Sequence, residues 1–152
     1  GAIAILMEAL PITLSGAEAL VLGFGRCGRA LAVRLAALGA RVTVTARKPE
    51  DLRAIEALGL TAMHTGQYRA LGRYHCIINT IPAMVFPAET VAQTAPEAFL
   101  LDLASAAGGI DFDACRQLGR RFRHALALPG KVAPATSGLI IRDTILEHLN
   151  LH

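Results

Sequence analysis

The stretch "ALVLGFGRCG" (19–28) does most to restrict the folds open to this chain. Residues 19–23 read as a fully buried strand. Leu31, Leu35 and Leu38 then mark one face of a helix whose other side carries Arg29 and Arg34, and Gly39 closes it. Gly23, Gly25 and Gly28 stand between the two as G-x-G-x-x-G. A strand that passes through such a turn into a helix opens a βαβ unit, and βαβ units build parallel sheets. Each glycine has its own task there. Gly23 permits the tight turn, Gly25 lets the backbone approach a pyrophosphate, and Gly28 lets helix pack on strand. The free amides at the helix N-terminus receive the phosphate charge.

The remaining chain repeats the unit. Ile3, Leu6, Met7 and Leu10 share one face of a short helix that Pro11 ends. "RVTVTA" (41–46) is a β-branched, alternating strand, residues 50–58 are helical, "LTAMHT" is a weak strand and "HCIINT" a strong one. A helix near 88–93, the strand "FLLDLA", a helix near 111–118, the strand "FRHALAL" and a last helix from Pro134 to Ser137 onward complete the order. Near-continuous apolar strands alternating with helices predict an α/β fold. Its form is a Rossmann-type, doubly wound parallel sheet of about six strands with helices on both faces.

Composition narrows the function. Hydrophobic residues make up 53% of the 152 and charged ones 18%, which excludes a disordered chain. No apolar run approaches the roughly 20 residues that span a bilayer, and "GAIAILMEAL" lacks the basic start of a signal peptide. The missing start Met leads us to expect a piece of a longer protein. A net charge of +3, with no Trp and two Tyr, lacks the basic stripe and interleaved aromatics of a nucleic-acid binder. Cys27, Cys76 and Cys115 are odd in number and widely spaced, so neither a disulfide frame nor a metal site is expected. A cytoplasmic setting fits reduced thiols.

An acid that holds the adenosine ribose of NAD is expected about 20 residues beyond the loop. This chain has Thr45, Ala46, Arg47 and Lys48 there. A carboxylate would repel a 2′-phosphate, whereas a guanidinium pairs with it bidentately, so NADP is expected over NAD. Arg47 is the main clamp in this reading, with Thr45 and Lys48 assisting; solvated loop cations are the plainer alternative.

In open parallel sheets ligands lie beyond the carboxyl ends of the strands. The candidate cofactor surface is therefore Gly23, Phe24, Gly25, Arg26, Cys27 and Gly28 in the first loop, with Asn79, Thr80, Ile81 and Pro82 after the fourth strand. Leu103, Ala104 and Ser105 after the fifth strand complete it. Asp102 reads equally as a ligand group or as a carboxylate that accepts backbone amides. Lys131, in the segment after the sixth strand, either meets an anionic substrate or caps its loop; Thr136 and Ser137 join it as candidate substrate contacts.

These blocks together are specific. "PIT" (11–13), "LVLGFGRCG", "ARK", "NTIPA", "LDLAS" with "GGIDF", and "LPGKVAPATSG" resemble, in this order, the carboxyl-terminal half of the dipicolinate synthase A-subunit family of spore-forming bacteria. The resemblance implies a dehydrogenase-like protein that works with a flavoprotein-like B subunit. It converts a lysine-pathway intermediate, a small dicarboxylate, into dipicolinate during sporulation. It also implies that residues 1–14 form a linker helix from an amino-terminal domain, with residues 15–152 the dinucleotide-binding domain and a homo-oligomer allowed.

No histidine pairs with an acid or a thiol at useful spacing, so His64, His75, His124, His148 and His152 read as structural or exposed. Two other functions compete. One is another two-domain NAD(P) dehydrogenase, of shikimate, alanine or 2-hydroxyacid type. The other is a nucleotide-sensing module without chemistry.

Overall fold

A computed structural model describes residues 1–105 and 107–126. Its centre is a six-stranded, wholly parallel sheet in the order β3-β2-β1-β4-β5-β6. The strands are β1 (Glu18–Leu22), β2 (Arg41–Ala46), β3 (Thr61–His64), β4 (Cys76–Asn79), β5 (Phe99–Asp102) and β6 (Arg121–His124). Helices α1 (Ala2–Ala9), α2 (Arg26–Ala37), α3 (Pro49–Ala57), α4 (Ala88–Val91) and α5 (Phe112–Gln117) cover it. This is the expected Rossmann-type architecture.

Two cores make the sheet doubly wound. Alternate residues of each strand face opposite sides, so Val21, Val42, Val44, Ile78 and Leu101 join Leu6, Leu31, Leu35 and Ile55 on one face. Leu20, Leu22, Ile77 and Leu100 join Phe86, Val91, Ile110 and Cys115 on the other. Because both faces are buried, the strands carry apolar residues at successive positions. Helix α1 is built into the first core, with Leu6 fully buried.

Chain direction across the sheet places the site. From β1 the chain moves outward to β2 and β3, then returns to the far side of β1 for β4. The connections after β1 and β4 therefore part in opposite directions and leave a crevice at the carboxyl ends of these strands.

Candidate functional site

A cleft of about 620 Å³ fills that crevice. One wall is the whole glycine loop, Gly23 through Gly28; another is Thr80, Ile81 and Pro82; Arg47 and Lys48 stand at the outer end. Eleven of the sixteen expected cofactor residues thus meet on one surface, although they come from three separate connections.

The three glycines behave differently. Gly23 has φ 101°, a conformation that disfavours a side chain, and a Cβ there would lie 2.7 Å from Thr80 Oγ1 and 2.8 Å from Ile81 Cγ1. A Cβ on Gly28 would run into the Gly23 carbonyl. These two glycines are required by the loop's own packing. Gly25 is not: its φ of −71° suits any residue, and a Cβ there meets nothing within 4 Å. Its backbone faces open cleft.

Gly25 is also the N-cap of α2, and no side chain caps that helix. The first-turn amides keep their hydrogen-bonding capacity and the positive end of the helix dipole. No acid lies in the first turn to offset it. The loop is therefore a cradle that fits a pyrophosphate in shape and in charge. At the outer end, Arg47 and Lys48 are exposed and, among the described residues, neither enters an ion pair.

Two expected contacts lie elsewhere. Thr45 is fully buried, and its hydroxyl oxygen accepts the Gly23 amide at 3.2 Å and the Thr65 hydroxyl at 3.0 Å. It sits beneath the loop instead of on the clamp, because the β2 register places it beside Leu22 within the sheet. Asn79 is likewise fully buried. Its amide donates to the Ile81 carbonyl and to the Asp102 carboxylate, each at 2.9 Å, and its oxygen accepts the Ile81 amide at 3.0 Å. It shapes the connection that carries Thr80, Ile81 and Pro82 and does not itself line the cleft.

Leu103, Ala104 and Ser105 do not line the cleft either. Ala104 is buried, donates its amide to Asp102 at 2.9 Å and has its carbonyl 3.0 Å from His124 Nε2. Asp102 is fully buried and also accepts the Gly109 and Ile110 amides at 2.6 and 3.1 Å. That is the structural alternative, with the carboxylate holding a turn. His75 is structural too, its Nδ1 accepting the Glu18 amide at 2.9 Å. Lys131, Thr136, Ser137, His148 and His152 lie outside the described residues.

Three residues of the cleft were not among the expected contacts: Ala46, Asp51 and Thr65. Asp51 arrives on the first turn of α3, and Thr65 follows the end of β3, where its amide bonds the Ala46 carbonyl at 3.0 Å. Only the pairing of β2 with β3 brings Thr65 to the site.

Comparison with known proteins bears on the family and the fold. The family described as D-isomer specific 2-hydroxyacid dehydrogenase, NAD binding domain, matches residues 7–110. The A subunit of dipicolinate synthase from Bacillus subtilis (strain 168) is 36% identical over 98% of this chain and 50% of its own length. The crystal structure of the dipicolinate synthase A subunit from Bacillus halodurans superposes with a TM-score of 0.92 at 37% identity, over 97% of this chain and 51% of that one. The crystal structure of its counterpart in the dipicolinate synthase of Bacillus subtilis gives 0.92 at 36%, over 99% and 51%. The chain spans about half the length of these relatives.

Proposed function

Since the chain belongs to the family of D-isomer specific 2-hydroxyacid dehydrogenase NAD-binding domains, we propose that it is the cofactor-binding half of an oxidoreductase that forms dipicolinate, with NADP(H) preferred over NAD(H). The observation that carries the cofactor choice is the end of β2, where Arg47 and Lys48 stand on the cleft in place of a ribose-binding acid. The product class is supported by the two dipicolinate synthase structures at TM-score 0.92.

A bound nicotinamide supplies hydride chemistry. The chain's own residues bind and orient. The first-turn amides of α2 meet the pyrophosphate charge, and Gly25 leaves room for its approach. Arg47 and Lys48 hold the 2′-phosphate, and Thr80, Ile81 and Pro82 form the wall beside the ribose. Lys131, Thr136 and Ser137 receive the small dicarboxylate substrate, a role that rests on their charge and hydroxyl groups. In the whole protein, residues 1–14 connect to a preceding domain that completes the cleft and brings the acid or base. Its setting is the cytoplasm of a sporulating cell, with the B subunit of dipicolinate synthase for a partner and self-association allowed.

The experiment is dipicolinate formation followed by absorbance. The 152-residue chain alone should show no useful turnover, because reactants held by half a cleft forfeit most of a proximity effect of roughly 7–11 kcal/mol. The full-length protein together with the B subunit should be active, and Lys131→Ala there should raise KM more than it weakens NADP binding. Rapid turnover by this chain alone, or none by the full complex, overturns the proposal. The family description favours one second reading, oxidation of a 2-hydroxyacid. Turnover of such acids by the full-length protein, without dipicolinate formation, would establish it instead.

A further inference from the structure

The peptide unit that joins Leu22 to Gly23 is gripped from both neighbouring strands. Its carbonyl accepts the Thr80 amide at 3.0 Å and the Thr80 hydroxyl at 2.8 Å, from the end of β4. Its amide donates to the Thr45 hydroxyl at 3.2 Å, from β2. The second lone pair of that oxygen is taken by the Thr65 hydroxyl at 3.0 Å. Thr45 has no exposed surface, and Thr65 is 7% exposed and lines the cleft beside Arg47. A chain of two buried hydroxyls therefore runs from the outer, Arg47 end of the cleft to the first amide of the phosphate loop.

We propose that Thr45 is a positioning residue for the glycine loop and that Thr65 acts on the loop through it, an inference that rests on the cofactor assignment above. Gly23 sits at φ 101° between Thr80 and Ile81, so the turn has one narrow arrangement that keeps the α2 amides aimed into the cleft. An amide left without an acceptor in a buried setting pulls the chain toward water. Without the Thr45 oxygen the free loop relaxes, and binding has to restore it before the pyrophosphate can dock. Thr45 thus sets affinity without touching the ligand. A group at the Arg47 end that orders Thr65 also orders the loop, which links the two ends of one dinucleotide.

The test is calorimetric titration of NADP and NAD into the 152-residue chain and its variants, with circular dichroism and melting to verify folding. Thr45→Val keeps the shape and removes the acceptor; it should weaken the better-bound dinucleotide about tenfold. Thr45→Ser restores the oxygen and should return affinity to within about twofold of wild type. Thr65→Val should cost about threefold, and the double valine variant should be no weaker than Thr45→Val, since Thr65 works through Thr45. Should Thr45→Val not fold, Thr65→Val and Thr65→Ser carry the same comparison: the valine weakens binding and the serine restores it, or the proposal is overturned. If wild type binds neither dinucleotide, the cofactor assignment falls and this inference with it. If wild type binds and folded Thr45→Val binds equally, or if the losses at Thr45 and Thr65 simply add, this inference alone is overturned.

Discussion

Asn79 and Asp102 are partners across the β4–β5 ladder, and the Asn79 amide donates to the Asp102 carboxylate at 2.9 Å. Through this bond the connections after two strands are held as one piece. Asn79 organises residues 79–81, while Asp102 gathers the amides of Ala104, Gly109 and Ile110.

Asp102→Asn replaces one acceptor oxygen with a donor that must face another donor. The variant should lose about 3 kcal/mol in urea unfolding, since a buried polar group left unsatisfied costs roughly 1–3 kcal/mol and more than one is affected. Dinucleotide affinity should fall as well, because the Thr80–Pro82 wall shifts with Asn79. A loss under 0.5 kcal/mol, the ordinary scale of a surface substitution, would refute the linking role.

Gly25→Val and Gly28→Ala should part company. A Cβ at Gly25 meets nothing within 4 Å, so Gly25→Val should cost no more than the loss of a favourable N-cap residue, about 1 kcal/mol, while dinucleotide binding disappears. An alanine at Gly28 collides with the Gly23 carbonyl and should cost about 1–3 kcal/mol by overpacking. Thermal melts and titrations on the two variants check both halves.

Arg47→Ala should weaken NADP binding roughly tenfold to a hundredfold, the equivalent of a charge-assisted hydrogen bond of about 1.5–3 kcal/mol. NAD, without the 2′-phosphate, should change by less than about threefold. Wild-type NADP affinity should also fall more steeply with salt than NAD affinity. Equal losses for the two cofactors would refute the clamp.

The cysteines should separate by reactivity. Burial pushes the Cys76 thiol up to about 12, and burial with the Asp111 carboxylate nearby pushes Cys115 up to about 11. Both stay protonated and covered at neutral pH, whereas Cys27 is exposed on the glycine loop. An aromatic disulfide reagent should modify Cys27 alone in the folded chain, and bound dinucleotide should slow it. The raised thiols also fix a pH slope. From about pH 9 an unfolded chain releases protons that the folded one keeps, so stability should decline as pH rises above about 9. Urea midpoints at pH 8 and 10 test the sign.

Much of this was written along the chain. β2 occupies Arg41–Ala46 as its β-branched alternation predicts, and the glycine loop lies between strand and helix as its spacing requires. Side-chain direction was less legible. Counting from Gly25 reaches Thr45 but does not say that its hydroxyl turns under the loop, because β2 is buried on both faces and its pattern marks neither. Asn79 looked like a ligand group for the same reason: a polar residue at a strand end serves a ligand or its own turn, and only the partner across the ladder decides. Asp51 and Thr65 could not be found by spacing at all, since the β2–β3 pairing and the start of α3 bring them in.

Helices α5 and α2 begin in opposite ways. Asp111 closes the first turn of α5, accepting the Ala114 amide at 2.9 Å, whereas α2 starts from Gly25 with no side chain to do so. In the proposed complex the phosphates of the dinucleotide would take the place at α2 that the Asp111 carboxylate takes at α5. The opening turn of α2 forms without such a cap, the Arg29 amide reaching the Gly25 carbonyl at 2.9 Å, and its first free amide hydrogens should exchange with solvent quickly in the free protein and slowly in a dinucleotide complex.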